Sequence, residues 1–404
     1  MGAAKDLWME ARSRDWSLFD NKYVCADCFD DATIKDVIRE NAKRTTCSYC
    51  GAKSSKPISA DMNDVMPEIY FGIRQQWGDP NNEGVPWESA EGGWQGDVID
   101  SWDLFHEELE LGVSNDRLRQ DLVRSVEDRQ WCQRDFWSLL PQRELSLDWG
   151  RFSEMVKHQT RFLFLREKSP SPNDRAPHTI LKALGRCFRK LNMVKTLPAG
   201  TELLRARRHT TTEHYDTMAD LGTPPAYKAT TNRMSPAGIS MFYGAFDAKT
   251  AVAEVCSDPG DVSPMVTTAP FLLKKPMRVI DLSAVPPVPS LFDRQRAEQR
   301  VPCIFLRSFV EDFVKSVQKD GREHIEYVPT QIVTEYVRRV FRDQSGEEVH
   351  GIVYPSAVAD GMSCVLFIER APAGEWAHLH PHTIEKWLKL DKSRIKSQKV
   401  ALPK

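Results

Sequence analysis

Four cysteines in two pairs, Cys25-x2-Cys28 and Cys47-x2-Cys50, constrain this 404-residue chain more than any other feature. Each C-x2-C turn sets two thiolates on one side of a knuckle, and two knuckles complete a tetrahedral sulfur site suited to Zn²⁺. Four sulfur ligands leave no position for a substrate, so such a site is structural. Gly51, directly after the second pair, suits the tight turn a knuckle needs. The alternatives are four free thiols or a redox pair. The total of nine cysteines is odd and their spacing uneven, which does not suggest a secreted disulfide framework.

Length and charge set the remaining bounds. A chain this long is expected to form two or three domains. Hydrophobic residues make up 41% and charged ones 28%, ordinary for a protein with a real core. The net charge of −2 gives no general reason to expect nucleic acid or an anionic membrane as partner. No apolar run is long enough to span a bilayer. The first residues carry neither an apolar signal core nor a myristoylation signal, since Asp6 stands where that signal wants Ser or Thr. The expected setting is cytoplasmic.

Charge is uneven along the chain. Asp61 to Asp116 holds fourteen acids against one basic residue, Arg74, while Lys386 to Lys404 holds seven Lys or Arg against Asp391. The Gly-, Pro- and Trp-rich stretch 77–94 reads as a structured loop or a partner surface. Leu118, Leu122 and Val126, then Phe152, Met155 and Val156, recur at helical spacing, so 61–166 is expected to be mainly helical. A turn-rich break at 167–178 serves as linker. Beyond it, strand-like runs at Leu203–Arg207, Ile239–Tyr243, Pro276–Leu282 and Gly351–Tyr354 alternate with helical ones, the clearest being Gln331–Phe341. This layout predicts a zinc-knuckle segment (1–60), a helical domain (61–166), an α/β domain (179–385) and a basic tail (386–404).

Four segments of the α/β half carry one ordered pattern: Leu-Leu-Arg-Ala-Arg at 203–207, Asn-Arg-Met-Ser-Pro-Ala-Gly at 232–238 running into Met-Phe-Tyr-Gly, Ala-Val-Ala-Glu-Val at 251–255, and Gly-Ile-Val-Tyr-Pro-Ser-Ala at 351–357. They supply Arg205, Glu254 and Ser356, with Arg233 and Tyr243 between. The set resembles the RES domain, and Tyr327, Thr330 and Gln331 look like its Y-x-x-T-Q stretch, read as scaffold. The resemblance implies an ADP-ribosyltransferase-like fold acting on NAD, with Arg205, Glu254 and Ser356 catalytic and Arg207, Arg233 and Tyr243 binding the dinucleotide. Known RES proteins are typically toxins of toxin–antitoxin pairs that degrade NAD by hydrolysis or phosphorolysis, or else ADP-ribosylate a protein. An antitoxin or regulatory protein is therefore an expected partner, and a homo-oligomer is open.

The residues suit that chemistry. Nicotinamide leaves NAD without protonation and the transition state is oxocarbenium-like, so a carboxylate near the ribose carbon stabilises developing charge. A guanidinium fork pairs with diphosphate oxygens, and an aromatic ring can hold the nicotinamide or its ribose. Strand alternation points Arg205 and Arg207 together and Arg208 away. Asp247 can cap a helix from Ala248 to Cys256, with Ala248, Ala251, Val252 and Val255 as its buried stripe and Glu254 at the edge. Ser356 follows a strand-like run, and no G-x-S-x-G elbow surrounds it, so its hydroxyl is expected to hydrogen-bond a ribose or phosphate. No Walker loop and no G-x-G-x-x-G is present.

The cysteine segment also looks like the zinc-binding start of the HEPN/RES N-terminal domain, covering roughly 20–165. HEPN domains are often RNases with an Arg-x4–6-His signature, and Arg151 and His158 meet its spacing. The residue after the arginine is Phe152, where active families prefer a polar one. The neighbouring acids oppose a polyanion. Arg151 and His158 are therefore read as helix-surface residues, with an RNA-binding or RNA-cleaving protein as the rival function. His378, His380 and His382 are read as adventitious metal binders at most.

Overall fold

The computed structural model describes residues 15–127, 129–136, 138–162, 176–257, 263–317, 321–370 and 383–400. Most of the expected linker, and the three alternating histidines, lie outside them. The chain divides into two compact units, Met1–Leu140 with Val288–Arg300, and Pro141–Pro287 with Val301–Lys404.

In the first unit the cysteine knuckles adjoin the antiparallel pair β1 (Tyr23–Cys25) and β2 (Ser59–Asp61). Helices α1 (Ala32–Glu40), α2 (Met62–Gln76) and α3 (Asp116–Ser125) surround them. Each begins at an acid or amide whose side chain accepts a backbone N–H: Asp31, Asp61 and Asn115. Ile34, Ile38, Val65, Ile69, Ile73, Leu118 and Leu122 form the buried face, as their helical spacing dictates. The unit also holds short strands: β3 (Trp77–Gly78), β4 (Trp87–Glu88), β5 (Gly93–Trp94), β6 (Val98–Asp100) and β7 (Gln130–Gln133). Strand order β3-β7-β6 makes a small sheet, and β4 pairs with β5. Within the stretch expected to be mainly helical, Trp131 and Cys132 thus lie buried in a strand, with Trp131 Nε1 donating to Ser101 Oγ at 3.0 Å. Phe292, from the returning segment, fills the space beside Gly72.

A mixed nine-stranded sheet dominates the second unit. Its strands are β8 (Val194–Leu197), β9 (Glu202–His209), β10 (Phe242–Ala245), β11 (Met265–Leu273), β12 (Met277–Asp281), β13 (Gly351–Pro355), β14 (Met362–Leu366), β15 (Leu388–Leu390) and β16 (Lys396–Lys399). The order is β15-β11-β9-β10-β14-β13-β12-β8, with β16 also on β11; β12 and β13 run parallel and the other pairs antiparallel. The Lys386–Lys404 stretch thus contributes two strands. The strand expected from Ile239 starts only at Phe242, because residues 239–241 follow the turn at Gly238, whose φ is +84°.

Five helices of eight or more residues belong to this unit among the described residues: α4 (Pro141–His158), α5 (Pro177–Lys190), α6 (Ala248–Cys256), α7 (Ala297–Val314, except its first turn) and α8 (Val328–Arg339). Helix α4 lies in the region expected to form the helical N-terminal domain, yet it packs here. Trp149 stacks edge-on against Phe309 at 4.9 Å between centroids, and Lys157 Nζ meets Glu326 at 2.7 Å. Phe188, Phe305 and Phe341 complete this aromatic core. No helix among the described residues is long and apolar enough to cross a membrane.

Candidate active site

Strand β9 brings two arginines to one cavity. Arg205 and Arg207 line a chamber of about 260 Å³, as alternation requires. Arg208 points away and donates through Nε (3.0 Å) and Nη2 (2.6 Å) to the Ser263 carbonyl. Arg207 Nη1 donates to the Asp220 carbonyl at 2.6 Å. Arg205 Nη1 donates to the Tyr243 carbonyl at 2.7 Å, and its guanidinium carbon lies 5.2 Å from the Phe242 ring centre. Its Nε is sealed from solvent with no partner. Burial, and then Arg207 beside it, push the Arg205 guanidinium down to about 9, so it stays charged at neutral pH. A cation held this way is costly unless an anion joins it.

Helix α6 carries Glu254 to the same chamber. Asp247 caps it as expected, Oδ1 accepting from the Thr250 N–H at 2.8 Å. Its buried residues are Thr250 and Ala251, with Val252 and Val255 half-buried; Ala248, expected in the stripe, is exposed. Glu254 Oε1 accepts from Ser356 Oγ at 2.6 Å and from Ser363 Oγ at 3.1 Å. Ser356, just beyond β13, thus meets the glutamate rather than the cavity surface. Gly361 lets the β13–β14 hairpin seat on the α6 N-terminus: a Cβ there would fall 2.0 Å from Thr250 Oγ1 and 2.3 Å from Asp247 Oδ2.

A second chamber, of about 760 Å³, shares Tyr243, Glu254 and Tyr354 with the first, and Arg233 and Tyr327 line its far side. Arg233 Nη1 donates to the carbonyls of Phe313 (3.0 Å) and Lys315 (2.5 Å), holding the C-terminal end of α7, where a cation is favoured. Its guanidinium also lies 5.5 Å from the Tyr327 ring centre. Thr330 Oγ1 donates to the Arg233 carbonyl, and Gln331 Nε2 to the Asn232 carbonyl at 2.8 Å. Thr330 and Gln331 therefore act as the scaffold expected of them, pinning the loop before Tyr243. Tyr243 pairs its hydroxyl with Ser235 Oγ at 2.8 Å. Burial raises the phenols of Tyr243 and Tyr354 above their ordinary range; at Tyr354 the Glu254 charge adds to this, so both stay neutral.

The structure gathers Arg205, Arg207, Tyr243 and Glu254 around one cavity, with Ser356 behind the glutamate and Arg233 at the adjoining chamber. Sequence reasoning missed Tyr354, Ser235 and Ser363. Ser363 had a signal, a lone hydroxyl opening the otherwise apolar run Cys364–Ile368.

In the first unit the four cysteine sulfurs all lie within 4.8 Å of one another. Adjacent pairs are 3.8 Å (Cys25–Cys28), 3.5 Å (Cys25–Cys50) and 3.7 Å (Cys28–Cys47) apart. A tetrahedral zinc with bonds of about 2.3 Å has edges of about 3.8 Å, so the cluster fits the ion. The hydrogen bond between Cys28 and Cys47 draws Cys47 down to about 4 and raises Cys28, while burial lifts Cys25 to about 12. All four as thiolates could be held together by a divalent cation between them.

These features define a two-unit protein, one carrying a cysteine cluster and the other a sheet whose central strands open onto an arginine–glutamate cavity. Residues 40–170 match the family model of HEPN/RES N-terminal domain 1, and residues 202–389 match that of the RES domain. The chain is therefore a HEPN/RES N-terminal domain followed by a RES domain. At the level of that family it is NAD-related, enzymatic and of toxin–antitoxin type. No curated protein and no solved structure matches it.

Proposed function

We propose that the second unit, an ADP-ribosyltransferase-like fold, binds NAD and cleaves its nicotinamide–ribose bond, by hydrolysis or phosphorolysis, depleting cellular NAD. The observation that supports this best is the position of Glu254: two hydroxyls hold it at the wall common to both chambers, one of which carries two arginines. Arg205 and Arg207 supply positive charge for the diphosphate, and Arg205 has donor capacity unspent. Glu254 stabilises the oxocarbenium-like ribose. Tyr243 offers a neutral ring for the nicotinamide or ribose, and Ser356 holds Glu254. Arg233 serves chiefly by fixing its loop. A structural zinc on Cys25, Cys28, Cys47 and Cys50, a cytoplasmic setting, and an antitoxin or regulatory partner belong to the same proposal.

The test is nicotinamide release from NAD by purified protein, with and without phosphate. Turnover is expected, and Glu254→Ala should lower it at least about 100-fold. Absence of nicotinamide with every acceptor would overturn the reading. Label from NAD becoming protein-bound would instead favour protein ADP-ribosylation. The RNA reading has less support: Arg151 and His158 are exposed on α4, and His158 Nε2 lies 4.0 Å from Glu154, a carboxylate that repels phosphate.

A further inference from the structure

Ser363 stands in an unusual place. It belongs to β14, between β10 and β13, opposite Ala245 on one neighbour and Tyr354 on the other. It is 2% exposed, and the following Cys364, Val365 and Leu366 are fully buried. A serine there gives up the packing a β-branched residue would provide, and its hydroxyl is costly unless hydrogen-bonded. Its bond is to Glu254 Oε1, the oxygen that also accepts from Ser356.

The two donors reach the carboxylate from different places, Ser363 from the body of the sheet and Ser356 from the hairpin beyond β13. A carboxylate held at one oxygen by a single hydroxyl can still swing about that bond. Two donors from separate points restrict the swing, and among the described residues Oε2 has no hydrogen-bond partner. The hairpin carrying both serines is itself fixed on α6 by the close approach at Gly361. We propose that Ser363 is a positioning residue: with Ser356 it forms a two-hydroxyl clamp that commits Oε1 to the protein and leaves Oε2 for the ligand in the cavity. This rests on Glu254 being the carboxylate that faces the ribose.

Three full-length variants test it: Ser363→Ala, Ser363→Thr and, as a reference, Glu254→Gln. In NAD turnover, Ser363→Ala is expected to lower kcat about tenfold with KM changed less than twofold, since a hydrogen bond to a charged group is lost without any ligand contact. Ser363→Thr keeps the hydroxyl and should recover most of the rate. An independent readout is the carboxyl-carbon NMR resonance of Glu254 in glutamate-labelled protein, identified by its disappearance in Glu254→Gln. It should shift in Ser363→Ala and return towards the wild-type position in Ser363→Thr. A resonance unchanged in Ser363→Ala, or a rise in KM matching the fall in kcat, overturns the clamp. If the wild-type protein releases no nicotinamide, the proposed function fails, and the NMR comparison still decides whether Ser363 holds Glu254.

Discussion

Arg205 shows at the residue scale how a binding site opposes stability. Its guanidinium is drawn well below its ordinary range by burial and by Arg207, and among the described residues its hydrogen-bond partner is the Tyr243 carbonyl rather than a carboxylate. The sign follows directly: a cation with a depressed folded-state value destabilises the ligand-free protein at neutral pH, and an anion beside it relieves that cost. Replacing Arg205 with Met keeps much of the side-chain volume and removes the charge. The melting temperature of ligand-free Arg205→Met is expected to rise by a few degrees, and the extra stabilisation by saturating NAD, seen in wild type by mass action, should disappear. Thermal melts with and without NAD check both; a variant that melts lower and still responds to NAD would show that Arg205 supports the fold rather than the ligand.

At the scale of elements, the glutamate side of the site is two pieces pressed together, α6 and the β13–β14 hairpin, with Gly361 at the contact. A methyl group at 361 would have to displace Thr250 or Asp247, the pair that caps α6. Gly361→Ala is expected to lower stability by about 1–3 kcal/mol, as overpacking does, and to reduce nicotinamide release far more than Ser356→Ala alone, because Glu254 and both serines move apart together. Urea unfolding beside the activity assay measures each. Activity close to wild type would mean that the hairpin tolerates the shift. Much of this was readable in advance: the strand carrying Arg205 and Arg207, the helix capped by Asp247, and Ser356 at a strand end are all set by short-range pattern. Ser363 and Tyr354 were not, since a hydroxyl or phenol in an apolar run shows its partner only when distant segments pair. The same holds for Trp131, in a region read only as mainly helical, whose strand pairs with distant segments and whose indole bonds Ser101. Helix α4 has a clear apolar period, but no local signal says which core will receive it.

For the whole molecule, the cysteine cluster and the cavity lie in different units, so metal and chemistry should separate experimentally. The first unit has a substantial apolar core, including Phe29, Ile34 and Ile69 fully buried, and its knuckles bring four sulfurs together at distances that fit a bound cation. Metal affinity and folding are linked in such sites. Cys47→Ser removes one of the four sulfurs, and is expected to abolish bound zinc and lower the melting temperature of the first unit. Chelation of the wild-type protein should do the same. The arginine–glutamate cavity contains none of these groups, so at a temperature below the lowered transition the variant should retain nicotinamide release within about threefold of wild type. Elemental analysis, a two-transition melt and the NAD assay read the three consequences on one sample. Protein purified without chelator that holds no zinc would remove the metal from the account. Loss of turnover in a Cys47→Ser protein whose second transition is unchanged would show instead that the N-terminal unit is needed for catalysis, a dependence expected only if it bears on the cavity itself.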